Sequence, residues 1–373
     1  MKVQNFVKIL SSDYYTGVPD SLLKSFCYYL FNTYGVDPKH HIIAANEGNC
    51  VALAAGYHLA TGKTPVVYMQ NSGEGNIVNP VTSLLNDRVY GIPVIFVVGW
   101  RGEPGVHDEP QHAYQGKITC SLLDELDIAN TIVSVDTTPS QLQTVMNKYR
   151  AKLADGKQVA FVISKGALTY EGNCIFKNDY TMKREEIIQH VVKYTGEDPV
   201  ISTTGKASRE LFETRVANHQ SHKYDFLTVG SMGHCSSIAL SVATFKPNTK
   251  VWIIDGDGAV LMHMGAMPVI ADSHPNNLVH IVINNGSYET VGGEPTVMGD
   301  VNIAQIALDC GYDSAIRVET LEDLDRALVA AKNDNKLMLI EAMSTIGARA
   351  NLGRQTTTAT ENKEEFMNYI NGL

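Results

Sequence analysis

The chain has 373 residues, 44% of them hydrophobic, which suffices for two domains with their own cores and excludes a disordered or fibrous protein. Its formal charge of -10, from 30 basic and 40 acidic side chains, disfavours a general affinity for nucleic acid or anionic membranes. No segment approaches the roughly 20 apolar residues of a membrane span, and the N-terminus lacks a secretion signal, so we expect a cytoplasmic protein.

Short β-branched runs alternate with helix-like stretches along the whole chain. In the first half the predicted strands are 41–45, 65–69, 93–99, 131–135 and 159–164. In the second half they are 199–203, 226–229, 251–254, 278–283, 315–318 and 337–342. Continuous apolar strands that alternate with helices predict an α/β protein with two doubly wound, mainly parallel sheets.

The segment 169–184 is polar and contains no clear strand, so we place a linker there. It separates a first domain, 1–168, from a second domain, 185–373, which ends in a loop and a helix over 361–370. Ligands of doubly wound sheets lie beyond the carboxyl ends of the strands. We therefore expect the chemistry in the loops that follow residues 45, 69, 99, 203, 229, 254 and 283.

Two oxygen-rich loops follow neighbouring strands of the second domain. The segment 256–258, Gly-Asp-Gly, offers close approach to a phosphate, and Asp257 can hold a hard cation. Taken alone, Gly-Asp-Gly is also a common turn. The second loop, 284–288, reads Asn-Asn-Gly-Ser-Tyr. A carboxylate, an amide oxygen and a main-chain carbonyl, completed by diphosphate and water, would make an octahedral magnesium site.

The distance between these loops carries a family resemblance. Gly-Asp-Gly, a spacer of 25 residues over 259–283 and then Asn-Asn resembles the signature of the thiamine-diphosphate-dependent enzymes. The resemblance implies that Asp257 and Asn285 are side-chain ligands of Mg2+ and that Ser287 contributes its carbonyl oxygen. It also implies backbone contacts with the cofactor diphosphate from Gly256, Gly258 and Ala259.

A second segment of the diphosphate-binding half supports the same resemblance. The segment 230–240 begins Gly-Ser-Met-Gly and is similar to the part of the family that props the cofactor into a bent shape, with Met232 as the wedge. Packing in the core is the alternative for a methionine. Further contacts with cofactor or substrate are expected from Thr204, Gly205, Lys206, Ser231 and Tyr288.

In the first half, Glu47 follows strand 41–45 and precedes a helix of small, apolar residues over 50–60. The resemblance implies that this glutamate bonds N1′ of the aminopyrimidine and favours the imino tautomer that removes the C2 proton of the cofactor. An acid that stabilises a helix N-terminus through the macrodipole is the alternative. Asn71 and Ser72 are expected to line the thiazolium side of the pocket, with a plain turn as the alternative.

The resemblance also assigns roles to the two domains. The first would bind the pyrimidine of the cofactor and the second its diphosphate. In this family the two halves of one site come from different subunits. The resemblance therefore implies a homodimer or a higher homo-oligomer with active sites at the subunit interface, where Glu47 of one chain faces Asp257 of another.

The two-domain layout and the segments 16–21, 99–112 and 347–354 resemble the branch of the family that contains phosphonopyruvate and sulfopyruvate decarboxylases. This implies decarboxylation of 3-phosphonopyruvate to phosphonoacetaldehyde and CO2 through an ylide and an enamine. Sulfopyruvate or another 2-oxoacid is the close alternative. A dinucleotide-binding oxidoreductase, the alternative of another class, would need the third glycine of G-x-G-x-x-G, and this sequence continues Ala-Val-Leu after Gly258.

An anionic substrate needs placed cations in an acidic protein, and the planar fork of arginine suits a tetrahedral oxyanion. Arg101, which follows strand 93–99, is the first choice. The other expected substrate contacts are Ser21, Lys206, Arg349 and Arg354. A surface loop before the last helix is the alternative for the two late arginines.

Three residues are expected to handle the proton that the product requires: Asp20, His107 and His112. Asp20 and Ser21 are predicted to start a helix after Pro19, where Asp20 could be a simple cap. An exposed loop histidine is commonly inert, so this remains the alternative for His107 and His112.

Overall fold

The computed structural model describes residues 1–174 and 176–373. Within them the chain forms two compact units: one holds residues 1–174 and 291–294, and the other holds 176–290 and 295–373. The predicted linker, 169–184, includes residue 175, which lies outside the described residues. Over the described ranges, no helix combines the length and the apolar character that crossing a membrane requires.

The first unit is built on a parallel sheet of six strands with helices between them. The strands are β1 (Tyr15–Gly17), β2 (His41–Ile43), β3 (Val66–Gln70), β4 (Ile95–Gly99), β5 (Ala129–Val133) and β6 (Val159–Ile163). The α-helices are α1 (Val3–Leu10), α2 (Lys24–Tyr34), α3 (Glu47–Thr61), α4 (Glu74–Pro80), α5 (Pro110–Glu125) and α6 (Pro139–Ala154). The strands lie in the order β2-β1-β3-β4-β6-β5.

The second unit has a parallel sheet of its own, again with six strands. They are β7 (Val200–Ser202), β8 (Asp225–Leu227), β9 (Val251–Gly256), β10 (Leu278–Asn284), β11 (Ser314–Val318) and β12 (Met338–Met343). The α-helices are α7 (Arg184–Thr195), α8 (Lys206–Ala217), α9 (Cys235–Phe245), α10 (Asp257–Met262), α11 (Ala266–Ser273), α12 (Ile303–Cys310), α13 (Leu321–Asn333) and α14 (Ala359–Asn371). The strand order is β11-β12-β10-β9-β7-β8.

The two sheets share one topology. Numbered within its own unit, each sheet has the order 2-1-3-4-6-5. The chain changes direction across the sheet between the first and third strands, so the switch points lie between β1 and β3 and between β7 and β9. Ligands of such sheets bind beyond the carboxyl ends of the strands at this point. The predicted fold class, two doubly wound parallel sheets, is confirmed.

Burial explains the continuous apolar runs of the sequence. Every residue of β4, β6 and β10 is buried, because helices cover both faces of these central strands. The outermost strands β5 and β11 are only partly buried. Trp252 on β9 is completely buried in the core of the second unit, and its Nε1–H donates to Asp198 Oδ2 at 2.8 Å, so its polar atom is paired.

Three local predictions were wrong. β1 is absent from the predicted strands because it has only three residues, Tyr-Thr-Gly, and the Val-Pro-Asp that follows is typical of a turn. The sequence predicts one helix over 259–270, after the Gly-Asp-Gly loop, but the structure interrupts it between α10 and α11, next to Gly265, a residue that weakens helix interiors. Helix α2 begins at Lys24 rather than at Asp20, because the Asp20 carboxylate closes a separate turn ahead of it.

Candidate active site

The two oxygen-rich loops of the second unit emerge side by side. β9 and β10 are paired in parallel with Gly256 opposite Ile283, so Asp257 and the 284–288 loop leave the same edge of the sheet. Thr296 joins them: its hydroxyl donates to Asp257 Oδ2 at 2.6 Å, and its N–H donates to the Gly286 carbonyl at 2.8 Å. The structure therefore holds Asp257 and the second loop in a fixed relation.

The charge and donor set at this edge fit a divalent cation. Asp257 is only 5% exposed, and burial raises its pKa to about 6 although the Thr296 hydroxyl and backbone N–H groups lower it. Those partners are neutral, so a cation would supply the missing countercharge. The Ser287 hydroxyl is also buried, without a partner among the described residues. Carboxylate, amide and carbonyl oxygens are the ligands that Mg2+ prefers.

There is little space for a side chain at Gly258, the residue after Asp257. A β-carbon at this position would lie 3.1 Å from the Tyr288 ring and 3.4 Å from Met232 Cε. Met232 itself is 37% exposed, so it is not a residue of the hydrophobic core. The structure thus brings Met232 and Tyr288 to the Gly-Asp-Gly loop, where Ala259 is buried behind them.

The loops after β7 and β8 contain residues with a left-handed backbone conformation. Ser231 has φ +53°, and Gly205 has φ +89°, both in the left-handed region. A left-handed non-glycine residue is strained, and such strain is concentrated at binding sites. The Thr204 hydroxyl donates to the Val229 carbonyl at 3.1 Å, which ties the loops after β7 and β8 together.

Lys206 lies in a buried ion cluster. Its Nζ donates to Glu289 Oε1 at 2.6 Å, and Arg184 Nη1 donates to Glu289 Oε2 at 2.8 Å. Burial alone would raise the pKa of Glu289, but Arg184 and Lys206 lower it to about 2. A lysine so paired has less charge to offer an anionic substrate than a free lysine would.

The C-terminal loop is held onto α7 and α8 by ionic contacts. Arg349 Nε donates to Glu185 Oε1 at 2.8 Å, and its Nη2 pairs with Glu213. Glu213 also accepts the Gly353 N–H at 2.6 Å. Arg354 is exposed at the end of this loop.

In the first unit, Glu47 is the first residue of α3 and only 4% exposed. Asn46 caps the helix by accepting the Asn49 N–H at 3.0 Å. The Glu47 carboxylate instead accepts Asn76 Nδ2–H at 2.6 Å. It also lies against Gly73, where a β-carbon would be 2.3 Å from Oε1. The Glu47 carboxylate is therefore buried and paired with a side chain, while Asn46 caps the helix.

Asp20 is fully buried at the carboxyl end of β1. Its Oδ2 accepts the N–H groups of Leu22 and Leu23 at 3.1 and 3.2 Å, and its Oδ1 accepts Gln70 Nε2–H at 2.6 Å. Ser72 donates to Gln70 Oε1 at 2.7 Å. Burial raises the pKa of Asp20, although these hydrogen bonds and Arg101 lower it. Asp20 therefore both caps a turn and can retain a proton at higher pH than an exposed aspartate.

Arg101 lies beside Asp20 and is paired with a carboxylate. Its Nε donates to Asp108 Oδ2 at 2.7 Å, Nη2 donates to Asp108 Oδ1, and Nη1 donates to the Ser21 hydroxyl at 3.0 Å. Burial lowers the pKa of the partly buried His112, and nearby Arg101 lowers it further. His112 lies on α5 rather than in the loop where the sequence places it, and His107 is exposed in the loop that precedes this helix.

The side chain of Asn71 joins two parts of the first unit. Its Nδ2 donates to the Arg101 carbonyl at 2.7 Å and to Thr119 Oγ1 at 2.9 Å, and its Oδ1 accepts the Arg101 N–H at 3.1 Å. The amide thereby fixes the backbone from which the Arg101 side chain projects.

Glu74, the first residue of α4, is a further buried acid that sequence reasoning did not single out. Its Oε2 accepts Gln115 Nε2–H at 2.9 Å, and its Oε1 has no partner among the described residues. Burial raises the pKa of Glu74 to about 8, although Gln115 lowers it. Glu74 is therefore largely protonated at neutral pH.

The substitution Glu74→Gln is expected to remove a pH dependence of stability. The pKa of Glu74 is raised from 4.5 to about 8, so the stability it contributes is complete below pH 4.5 and is lost as the pH rises through 8. At pH 9 the variant should be more stable than the wild type by about 3 to 5 kcal/mol, and at pH 5 the two should be similar. Urea unfolding at both pH values measures this, and a pH-independent difference would contradict it.

Several residues of these sites were missed by sequence reasoning. Asn76 follows β3 closely, in the region after residue 69 where the sequence predicts chemistry, so its polar side chain was a usable signal. The contacts of Gln70, Asp108, Glu289 and Thr296 had no such signal, because only the folded backbone brings these residues to their partners.

Comparison with known families matches a part of each of the two units. A model described as "Thiamine pyrophosphate enzyme, N-terminal TPP binding domain" matches residues 3–124, and its C-terminal TPP binding counterpart matches residues 203–342. Thiamine pyrophosphate is thiamine diphosphate. These matches define the class as an enzyme that binds this cofactor, as the spacing of the two loops predicted.

Similar proteins extend the match over nearly the whole chain. The chain is 33% identical to phosphonopyruvate decarboxylase of Streptomyces viridochromogenes, over 95% of this chain and 90% of that protein. It is 31% identical to phosphonopyruvate decarboxylase of Streptomyces hygroscopicus, over 88% and 84%. It is 26% identical to sulfopyruvate decarboxylase of Methanosarcina acetivorans, over 80% of each chain. The chain belongs to the phosphonopyruvate decarboxylase family of thiamine-diphosphate-dependent carboxy-lyases.

Proposed function

We propose that this protein decarboxylates 3-phosphonopyruvate to phosphonoacetaldehyde and CO2 with thiamine diphosphate and Mg2+. The observation that carries the proposal is the similarity to phosphonopyruvate decarboxylase over 90% of that protein's length. Sulfopyruvate is the second candidate, because sulfopyruvate decarboxylase matches 80% of the chain at lower identity.

The second unit would hold the metal and the diphosphate. Asp257 and Asn285 would bind Mg2+ through their side chains and Ser287 through its carbonyl. The backbone of 256–259 would approach the diphosphate, and Met232, partly exposed beside Gly258, would support the cofactor ring. When bound, the cofactor supplies the electron sink that allows the carboxylate of a 2-oxoacid to leave as CO2.

The first unit would supply the acid-base groups. Asn76 orients the Glu47 carboxylate, which would accept a hydrogen bond from the aminopyrimidine and hold the proton exchanged there. Asp20 would deliver the proton that the product needs, because its burial favours the protonated acid and Gln70 fixes its orientation. His112, half-buried near Arg101, is the second candidate for this proton, and His107 is the third.

Arg101 is the cation that we propose for the phosphonate. Among the described residues its Nη1 donates only to a neutral hydroxyl, that of Ser21, so this donor can be redirected to a substrate oxygen while Asp108 holds the rest of the guanidinium. Lys206 and Arg349 are engaged by carboxylates, which leaves them a smaller part in binding.

The substitution Arg101→Gln is expected to raise the KM for phosphonopyruvate by at least about 10-fold, because a hydrogen bond to a charged group contributes about 1.5 to 3 kcal/mol. Steady-state kinetics at saturating cofactor measures this. Arg326→Gln is the control, since Arg326 forms ion pairs on the surface of α13. An unchanged KM for Arg101→Gln would show that the phosphonate is bound elsewhere.

We further propose that the active form is a homodimer or a larger homo-oligomer. Helix α3, which positions Glu47, presents apolar residues to solvent, including Ala52, Gly56 and the 74% exposed Leu59. They adjoin a groove of about 720 Å³ that Tyr14, Ile42 and Leu53 help to line. A second copy would cover this surface. Light scattering on the active protein tests this, and a fully active monomer would contradict it.

The proposed substrate is tested by incubating the protein with thiamine diphosphate, Mg2+ and either phosphonopyruvate, sulfopyruvate or pyruvate. Aldehyde formation gives kcat/KM for each acid, and we expect the highest value for phosphonopyruvate. A preference for sulfopyruvate would overturn only the substrate, whereas no aldehyde or CO2 from any acid would overturn the decarboxylase.

A further inference from the structure

Glu289 contacts the side chain of the proposed metal ligand Asn285. The two residues are four positions apart, and Asn285 Nδ2 donates to Glu289 Oε2 at 3.1 Å. The other side of the amide faces its own loop, where Asn285 Oδ1 accepts the Ser287 N–H at 2.9 Å. Both ends of the Asn285 amide therefore have defined partners.

Cationic and backbone donors surround the Glu289 carboxylate. Arg184 and Lys206 donate to its two oxygens at 2.8 and 2.6 Å, and the Gly347 N–H donates to Oε2 at 3.2 Å. In all of these contacts the carboxylate oxygens accept, so they can pair with the NH2 of an asparagine but not with its oxygen. The nitrogen and oxygen of a free side-chain amide can exchange places by a simple rotation, and such a partner prevents it.

We propose that Glu289 is a positioning residue, which fixes the Asn285 amide so that its oxygen, not its nitrogen, is presented to the divalent cation. The inference rests on the metal site that forms part of the proposed function. This role explains why a buried carboxylate, paired with two cations, lies four residues after Asn285. It also gives Lys206 a role in neutralising Glu289 rather than in binding the substrate.

Glu210 offers a matched control. It accepts from the same guanidinium as Glu289, with Arg184 Nε and Nη2 at 2.6 and 2.8 Å, and it is also buried. No contact between Glu210 and Asn285 occurs among the described hydrogen bonds. Glu210→Gln therefore removes a buried anion from the same ion cluster without altering the acceptor of the Asn285 amide.

The experiment measures Mn2+ affinity in the presence of excess thiamine diphosphate, from the electron paramagnetic resonance signal of free Mn2+. Glu289→Asp keeps the charge but withdraws the acceptor by one methylene, and Glu289→Gln keeps the shape but gives the amide a partner that can rotate. We expect Mn2+ binding to weaken about 10- to 100-fold in both variants, as for other residues that orient metal ligands. Glu210→Gln should bind Mn2+ as the wild type does. The thermal unfolding midpoint of each cofactor-free variant establishes that it is folded.

Two results would overturn the inference. Wild-type Mn2+ affinity in Glu289→Asp would show that the acceptor is not needed, and equal weakening in Glu210→Gln would show a general effect of the ion cluster. Asp257→Asn distinguishes a failure of the positioning role of Glu289 from a failure of the proposed metal site. If Asp257→Asn abolishes Mn2+ binding while Glu289→Asp leaves it intact, only the positioning role fails. If Asp257→Asn binds Mn2+ normally, the metal site fails, and the inference with it.

Discussion

Replacing Glu47 with glutamine is expected to leave the protein folded and to reduce decarboxylation at least about 100-fold, the lower range for loss of a positioned acid-base group. The fold should survive because Asn46, not Glu47, caps α3, and glutamine keeps the volume beside Gly73. Glutamine also keeps an oxygen that can accept from Asn76 Nδ2. What it loses is a carboxylate that can exchange a proton with the aminopyrimidine of the cofactor. Initial rates of CO2 release at saturating cofactor and substrate measure the effect.

Glu74→Gln is the matched control for this experiment. It is the same substitution at a second buried glutamate of the first unit, and at pH 7 it replaces a carboxyl that is already largely protonated. We expect its rate at pH 7 to remain close to that of the wild type. If Glu47→Gln retained wild-type turnover, Glu47 would not be the cofactor activator, and the alternative of a helix N-terminal acid would replace it.

Replacing Asp257 with asparagine is expected to change stability and cofactor binding in opposite directions. Burial raises the pKa of Asp257 from 3.8 to about 6, so the stability it contributes is complete below pH 3.8 and is lost as the pH rises through 6. At pH 8 the cofactor-free variant should therefore be more stable, by at most about 3 kcal/mol. Asparagine removes the negative charge that would bind Mg2+, so affinity for the cofactor with Mg2+ should fall by at least about 100-fold.

Two measurements on the same preparation check this prediction. Thermal unfolding without cofactor at pH 8 should give a higher midpoint for Asp257→Asn than for the wild type. Calorimetric titration with thiamine diphosphate and Mg2+ should give little or no binding. A variant that binds the cofactor normally would place the metal elsewhere, and a variant destabilised at pH 8 would show that the contact with Thr296 outweighs the cost of burying the charge.

The central strands were predictable because they are buried on both faces. The runs that become β4, β6 and β10 consist almost wholly of apolar residues, and their pattern needs no knowledge of the tertiary structure. β1 has three residues and no such run, so it was missed. Without β1 the switch point of the first sheet cannot be located, and neither can the contact between Asp20 and Gln70 at the ends of β1 and β3.

The proximity of the two oxygen-rich loops was predictable for a related reason. Asp257 and Asn285 follow strands that are consecutive in the chain and adjacent in the sheet, so their spacing in the sequence reflects their spacing in the structure. The contacts of Lys206 could not be predicted in this way. Its position after β7 places it at the correct edge, but its ion pair with Glu289 joins residues 83 positions apart. Nothing in the local sequence specifies such a pair.

The proposed decarboxylation is tested most directly by removing the cofactor from the purified protein and supplying 3-phosphonopyruvate with thiamine diphosphate, Mg2+, both or neither. The amounts of released CO2 and of phosphonoacetaldehyde are then measured in the same sample. We predict one CO2 for each aldehyde when both are present, and neither product when thiamine diphosphate is left out. CO2 release that does not need thiamine diphosphate, or no release when both are supplied, would contradict the proposed cofactor-dependent decarboxylation.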